Sequence, residues 1–109
     1  MISLSTHVLN TANGVPAGGV AMRLLLGIDV VFDGRTDGDG RCPALRELVL
    51  GAGTYRLEFA AGDYFRSTGV VLAAPPFLDV VALEFGLSEG HYHVPLLVSP
   101  YAYSTYRGS

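Results

Sequence analysis

The sequence has no lysine, no tryptophan and no glutamine, and its only cysteine is Cys42. All seven cationic residues are therefore arginines, which excludes Schiff-base chemistry and a lysine that cradles phosphate. A single cysteine excludes an internal disulfide framework and a metal site built from several thiolates. The sequence also lacks an apolar run of about 18 residues, so no segment is predicted to cross a membrane as a helix.

Positive charge is scarce as well, because ten acidic residues against seven arginines give a net charge of −3. A nucleic-acid-binding protein normally has a basic face, so this balance argues against a nucleic-acid partner. The opening residues, MISLSTHVLN, lack the charged segment and apolar stretch of a secretory signal, which predicts a cytoplasmic location. A length of 109 residues, half of them apolar, predicts one folded domain over residues 1–109.

Fourteen glycines and six prolines are spread along the chain and separate short apolar runs, which is typical of an all-β domain. We predict one short helix at 62–68 and strands at 2–9, 19–26, 28–32, 44–49, 54–60, 79–85, 92–99 and 102–108. Seven or eight short strands of this kind predict an antiparallel β-sandwich of two sheets. A sandwich of this size buries only about 60–65% of the surface of its unfolded chain. The apolar and aromatic last strands therefore favour association between chains.

Residues 2–9 alternate in a way that assigns each side chain to one face of a strand. Ile2, Leu4, Thr6 and Val8 point one way, and Ser3, Ser5, His7 and Leu9 the other. The first set is expected to face the core, which leaves His7 on the polar face.

Histidine is the scarcest residue type here with useful acid–base chemistry. His91 and His93 are two apart at the start of a predicted strand, so their imidazoles share a face. If that strand meets the first one, His7 joins them. Three converging imidazoles would be a candidate zinc set, or a neutral histidine would serve as a general base. The alternative is that each histidine is an ordinary surface or edge residue.

The segment TDGDGR at 36–41 has alternating aspartates like part of a calcium loop, but lacks the glutamate that closes such a loop. We interpret residues 37–40 as a turn that aims Arg41, although an arginine beside such a turn is often merely solvated. The last residues form a second unusual segment, since aromatic and hydroxyl side chains continue up to Ser109. On a strand, Tyr101, Tyr103, Thr105, Arg107 and Ser109 would share one face. This composition predicts burial, an interface or a site, with an edge strand as the alternative.

Several segments together resemble the 5-hydroxyisourate hydrolase family, which has the transthyretin-like fold. They are LSTHVLN at 4–10, GVPAGGV at 14–20, TDGDGRC at 36–42, GDYF at 62–65 and HYHVPLLVSPYAYSTYRGS at 91–109. The resemblance covers essentially the whole chain, and the ending Tyr106-Arg107-Gly108-Ser109 is its most specific part. Transthyretin, the hormone carrier, shares the fold but lacks that ending.

The resemblance implies roles for particular residues of this sequence. The implied catalytic residues are His7, Arg41, His93 and Ser109. Those implied to contact the substrate are His7, Arg41, Tyr106, Arg107 and Ser109. His91 belongs to the motif without a catalytic role of its own. We expect Cys42 to be buried or half-buried beside the site and not to act as a nucleophile.

The activity implied is hydrolysis of 5-hydroxyisourate to 2-oxo-4-hydroxy-4-carboxy-5-ureidoimidazoline, in the degradation of urate to allantoin. No metal or organic cofactor is implied. The implied assembly is a homotetramer, a dimer of dimers, with its sites at the dimer–dimer interface. The alternative function is a transthyretin-like carrier of a small ligand in a central channel.

Overall fold

The computed structural model describes residues 1–108, which form ten strands, a 3₁₀ helix and an α-helix. The 3₁₀ helix spans Pro43–Glu47, and the α-helix, α1, spans Ala61–Ser67. The strands are β1 Ile2–Ser5, β2 Val8–Asn10, β3 Val15–Pro16, β4 Ala21–Leu26, β5 Asp29–Arg35, β6 Gly53–Ala60, β7 Val80–Leu87, β8 Gly90–His93, β9 Leu96–Val98 and β10 Tyr103–Ser104.

The strands form two layers, which confirms the predicted transthyretin-like β-sandwich. One layer is an antiparallel sheet in the order β5-β4-β6-β7. The other contains the sheet β10-β9-β2-β3 and the pair β1-β8. The pair and the sheet are continuous, because Val94 N–H donates to Ser5 O at 2.9 Å and Leu96 N–H donates to His7 O at 3.0 Å.

The core lies between the layers and follows the predicted alternation. Ile2, Leu4, Thr6 and Val8 are buried, whereas Ser3, Ser5, His7 and Leu9 are half-buried on the opposite face. Opposite them, apolar side chains of the β4–β7 sheet complete the interior, chiefly Met22, Leu24, Leu57, Phe59, Val81 and Leu83. Burial of each large apolar side chain stabilises the fold by about 1.5–3 kcal/mol, so the strands that carry the polar site are held by their inner faces.

Several predicted strands differ from the structure: β5 extends to Arg35 instead of ending at residue 32, and β3 was not predicted. Three further strands differ, and proline explains two of these differences. Residues 44–49 do not form a strand, because Pro43 begins the 3₁₀ helix, where a fixed φ and a missing N–H are tolerated. The predicted strand 92–99 is divided into β8 and β9 at Pro95, which cannot donate to a ladder. Of the predicted strand 102–108, only Tyr103–Ser104 is paired as a strand, and Gly108 makes an isolated bridge with His93.

The strand pairing differs from the prediction of antiparallel sheets in one place. β1 pairs with β8 and β2 pairs with β9 in parallel, and both pairs have the same register: Ser5 lies opposite His93, and Val8 lies opposite Leu96. The segments 2–10 and 90–98 therefore form one long parallel pair with a short interruption. This pair brings the first predicted strand beside the His-x-His segment, as the convergence of the histidines requires.

Candidate active site

The outer face of the β1–β8 pair carries an alternating row of hydroxyls and imidazoles. Ser3 Oγ lies 2.6 Å from His91 Nδ1, and Ser5 Oγ lies 3.0 Å from His91 Nε2. The same Ser5 Oγ lies 2.8 Å from His93 Nδ1. The parallel register sets this order, since Ser3 lies opposite His91 and Ser5 lies opposite His93. We call the four residues Ser3, His91, Ser5 and His93 the hydroxyl–imidazole row.

Both imidazoles of the row are held toward their neutral form. Burial lowers the pKa of His93 from its ordinary value, and the positive charge of Arg41 and the rings of His7 and His91 lower it further. Burial also lowers the pKa of His91, with a smaller contribution from Arg46. A neutral imidazole has a lone pair available, so each ring is suited to accept a proton near neutral pH.

His7 lies where the first strand changes from β1 to β2, and its ring is fixed by the loop that precedes Arg41. Its Nε2 lies 2.8 Å from Asp39 O, and the backbone of His7 bridges to Arg41. Gly40, with φ at +77°, permits this close approach, since a Cβ there would collide with Val8 O. The glycine therefore brings the loop and Arg41 against the strand of His7.

The predicted turn at residues 37–40 is present and is closed by one carboxylate. Asp37 Oδ1 accepts from Asp39 N–H at 2.9 Å and from Arg41 N–H at 3.0 Å. Asp37 N–H in turn donates to Arg41 O at 2.7 Å. The turn thus fixes the backbone of Arg41, while its exposed guanidinium acts on His93 through its charge.

A depression of about 290 Å³ adjoins the row and includes Arg41. Ser5 lines it from β1, and Arg46 and Glu47 line it from the 3₁₀ helix. Cys42 also contributes to its wall but is only 7% exposed. The burial of Cys42 confirms that part of the expectation, and burial also raises the pKa of its thiol.

The segment that precedes Ser109 is tied directly to His93. Gly108 N–H donates to His93 O at 2.7 Å, and His93 N–H donates to Gly108 O at 3.2 Å. A Cβ on Gly108 would lie only 3.0 Å from both Cβ and Cδ2 of His93, so a side chain there would press on the imidazole. Ser109 itself, predicted as a site residue, lies outside the described residues.

Tyr106 and Arg107 lie on another side of the C-terminal segment. The guanidinium carbon of Arg107 is 4.2 Å from the centre of the Tyr92 ring, a cation–π contact. With Glu84 and Phe85 of β7, they line a separate cavity of about 220 Å³. Within one chain, the structure therefore brings together His7, Arg41 and His93 but does not bring Tyr106 and Arg107 into the depression beside them.

No helix among residues 1–108 is long and apolar enough to cross a membrane. Over the same residues, no three histidine, cysteine or acidic side chains are grouped so that they could hold a metal ion.

The structure adds residues to the site that the sequence analysis did not single out for function. Ser3 and Ser5 hydrogen-bond the two imidazoles, and Asp37 and Gly40 fix Arg41 and His7. A signal for the serines exists in the alternation, since Ser3 and Ser5 share a predicted face with His7. Their partners were not visible, because the parallel pairing joins residues far apart in the chain.

Known proteins resemble this chain along nearly its whole length. A sequence model of the HIUase/Transthyretin family matches residues 4–108. A protein of Caulobacter vibrioides named 5-hydroxyisourate hydrolase is 49% identical over 100% of both chains. The solved structure of Klebsiella pneumoniae 5-hydroxyisourate hydrolase has a TM-score of 0.87 and 32% identity, covering 100% of this chain and 94% of that chain. Sea bream transthyretin in complex with thyroxine has a TM-score of 0.86 and 30% identity, covering 97% and 94%.

Proposed function

This chain belongs to the HIUase/Transthyretin family, and we propose that His7 and His93 activate the water that opens the substrate ring. The chain is a hydrolase of 5-hydroxyisourate, which it converts to 2-oxo-4-hydroxy-4-carboxy-5-ureidoimidazoline in the degradation of urate to allantoin. The observation that carries the proposed mechanism is the environment of His93. Its imidazole is held toward the neutral form, because burial and, to a smaller extent, Arg41 and His7 lower its pKa.

Hydrolysis of a cyclic amide has three requirements, and the site has a group for each. The attacking water must lose a proton, and neutral His93 accepts it with His7 orienting the water. The carbonyl oxygen becomes negative, and the guanidinium of Arg41 offers it a fixed set of donors. The leaving nitrogen must gain a proton, which Nε2–H of His93 returns. The proposed mechanism uses the chain's own groups and water alone.

The remaining predicted residues have supporting roles in this proposal. Ser109 follows Gly108, which is bonded to His93, and we assign to Ser109 the binding of the polar substrate edge or of the water. Tyr106 and Arg107 shape the C-terminal segment, since Arg107 stacks on Tyr92 next to His93. A role for these two in substrate contact requires a second chain to complete the site.

The carrier alternative is less well supported than hydrolysis. Sea bream transthyretin, whose structure was solved in complex with thyroxine, has the same fold, so this fold also occurs in a ligand-binding protein. A carrier, however, does not need an imidazole that a neighbouring arginine helps to keep neutral. The row of hydroxyls and imidazoles and the loop that fixes Arg41 are features of acid–base chemistry.

We further propose one domain over residues 1–109, a cytoplasmic location, and a homotetramer with sites at the dimer–dimer interface. Two features support association. The edge strands β7 and β10 leave backbone groups unpaired within one chain. Tyr103 and Tyr106, 46% and 58% exposed, lie at or just beyond β10, and such aromatic side chains are enriched at interfaces.

The mechanism is tested by substitution in an assay that generates the substrate in place. Urate oxidase and urate produce 5-hydroxyisourate, whose absorbance decays faster when the hydrolase is added. His93→Ala and His7→Ala are each expected to lower kcat roughly 10²- to 10⁴-fold, because general acid–base catalysis is lost. Arg56→Ala, on the opposite sheet, is the matched control and keeps full activity. Near-full activity in either histidine variant, with an unchanged melting temperature, contradicts the role of that histidine.

A further inference from the structure

We propose that Ser5, His91 and Ser3 form a proton relay that leads from His93 to the surface. The inference rests on the proposed role of His93 as the base and deepens it. His91, Ser5 and Ser3 are then positioning residues for the hydrolysis, since they act on the reacting water only through His93.

The first support is the continuity of the hydroxyl–imidazole row. Each imidazole nitrogen that faces along the row has a serine hydroxyl within 3.0 Å, and Ser5 Oγ serves both rings at once. A hydroxyl has one hydrogen, so Ser5 donates to one ring and accepts from the other. The hydrogen bonds of the row therefore all point in one direction or all in the other.

These two directions correspond to two states of His93. In one, His93 Nδ1–H donates to Ser5, Ser5 donates to His91 Nε2, and His91 Nδ1–H donates to Ser3. His93 Nε2 then carries the free lone pair that a base needs. In the other state every bond is reversed, and the hydrogen of His93 lies on Nε2.

Conversion of the first state into the second moves one proton without leaving a charge on the row. Nε2 of His93 takes the proton of the attacking water, and the Nδ1 proton passes to Ser5 Oγ. The Ser5 hydroxyl proton passes to His91 Nε2, and the His91 Nδ1 proton passes to Ser3 Oγ. Ser3 releases its own hydroxyl proton to solvent. In the reverse sequence the Nε2 proton passes to the leaving nitrogen, and Nδ1 regains a proton from Ser5, which is supplied in turn by His91, Ser3 and solvent.

The charges around the row favour such a neutral transfer. An imidazolium at His93 would face Arg41 together with the rings of His7 and His91, and an imidazolium at His91 would face Arg46. Both pKa values are lowered by burial as well, so a transfer that leaves both rings neutral avoids the least favourable states. The relay thus provides base chemistry where a lasting positive charge is disfavoured.

The row borders two neighbouring depressions, which share Arg46 and Glu47 as lining residues. Ser5 lines the depression that contains Arg41, next to which the proposed substrate binds. Ser3 lines a second depression of about 470 Å³, bordered by Met1, Arg46 and Leu48. A proton released by Ser3 therefore enters a different depression from the one that contains Arg41.

The test compares Ser5→Ala with Ser5→Thr, which restores the hydroxyl. Ser5→Ala is expected to lower kcat by about 10- to 100-fold with little change in KM, and Ser5→Thr to recover most of that loss. Nitrogen-15 NMR of the histidines is expected to show His93 protonated at Nδ1 in the wild type and Ser5→Thr, but not in Ser5→Ala. Wild-type kcat in Ser5→Ala, or equal losses in both variants with equal melting temperatures, overturns the relay.

His91→Gln provides the second variant, because an amide hydrogen-bonds Ser5 but has no tautomer through which a proton passes. We expect kcat to fall about tenfold. We also expect a proton inventory, which is the dependence of kcat on the fraction of D₂O in the solvent, to change from transfer of several protons to transfer of one. An unchanged inventory and kcat exclude transfer beyond Ser5 and overturn the proposal. If His93→Ala is itself active, the proposed mechanism fails. If His93→Ala is inactive while the Ser5 and His91 variants behave as wild type, the relay alone fails.

Discussion

Two polar ladders cross the outer faces of the two sheet layers, and they differ in the kind of group that they use. On the β4–β7 sheet, Arg23 pairs with Glu58 at 2.7 Å, and Arg56 lies 3.7 Å from Glu58 and 3.9 Å from Glu84. On the β1–β8 pair, the ladder consists of neutral hydroxyls and imidazoles with separations of 2.6–3.0 Å. Apart from the Arg56–Glu58 contact, which lies within β6, the contacts of both ladders join neighbouring strands.

This difference indicates which cross-strand contacts are suited to acid–base chemistry. The arginines of the first ladder are about half exposed, and such surface pairs stabilise a fold by only about 0–1 kcal/mol each and are screened by salt. The groups of the second ladder are short side chains on paired strands, so the backbone register fixes their spacing. They are also directional, because each hydroxyl and each ring nitrogen either donates or accepts. The ionic ladder is expected to serve solubility, and the neutral ladder catalysis.

The largest effect on the neutral ladder is expected from removal of the C-terminal segment that bonds to His93. Deletion of residues 107–109 is expected to lower kcat/KM at least about 100-fold, because Gly108 no longer bonds to the His93 backbone and the polar groups of Arg107 and Ser109 are lost. The decay of 5-hydroxyisourate absorbance measures the loss, and circular dichroism checks the fold.

Gly108→Ala is a graded form of the same change. Its methyl group would lie 3.0 Å from His93 Cδ2, so either the ring or the C-terminal segment must shift by a few tenths of an ångström. About a tenfold loss of kcat is expected, with a melting temperature close to that of the wild type. Full activity in the deletion variant would show that the segment is only an edge strand.

A smaller effect is expected from pH, which tests whether the second ladder is neutral. The pKa of His93 is lowered from its ordinary 6.5, so the ring stays unprotonated at pH values at which an ordinary histidine is half charged. If neutral His93 is the base, kcat/KM is constant above that lowered pKa and declines below it. The acid limb of the pH profile is therefore expected below 6.5. NMR titration of His93 without substrate gives an independent value, and a midpoint above 6.5 in both would contradict the neutral ladder.

The smallest effect is expected in the ionic ladder. Arg56→Ala removes two long contacts at a half-exposed site and is expected to change the free energy of unfolding by no more than about 1 kcal/mol. Activity is expected to remain at the wild-type level in the same assay. A loss of activity as large as that of Ser5→Ala would show that the two sheet faces are coupled, which would remove the basis of the comparison.

Features with a strong local signal were predictable from the sequence. The alternation of residues 2–9 gave the correct buried and half-buried faces, because period two is a direct consequence of strand geometry. The shared face of His91 and His93 and the turn before Arg41 are also local, and both are present. The resemblance to a known family added the convergence of His7, Arg41 and His93, which local patterns left open.

The errors and omissions have physical causes as well. The segment 44–49 has the composition of a strand, but Pro43 starts a 3₁₀ turn and Leu45 is fully buried beneath it. Parallel pairing of 2–10 with 90–98 depends on the packing of the whole chain, so no local pattern predicts it. The contacts of Ser3 and Ser5 with the histidines depend on that register, so the sequence did not predict them either.

The parallel pair also bears on the order in which the molecule folds. Hydrogen bonding of residue 5 to residue 94 closes a loop that includes most of the chain, and the entropic cost of closing a loop rises with its length. The hairpin of β4 and β5 needs only local contacts, so it is free to form much earlier. We expect the catalytic groups to be assembled last, after residues 90–98 and the C-terminal segment that bonds to His93 have left the ribosome.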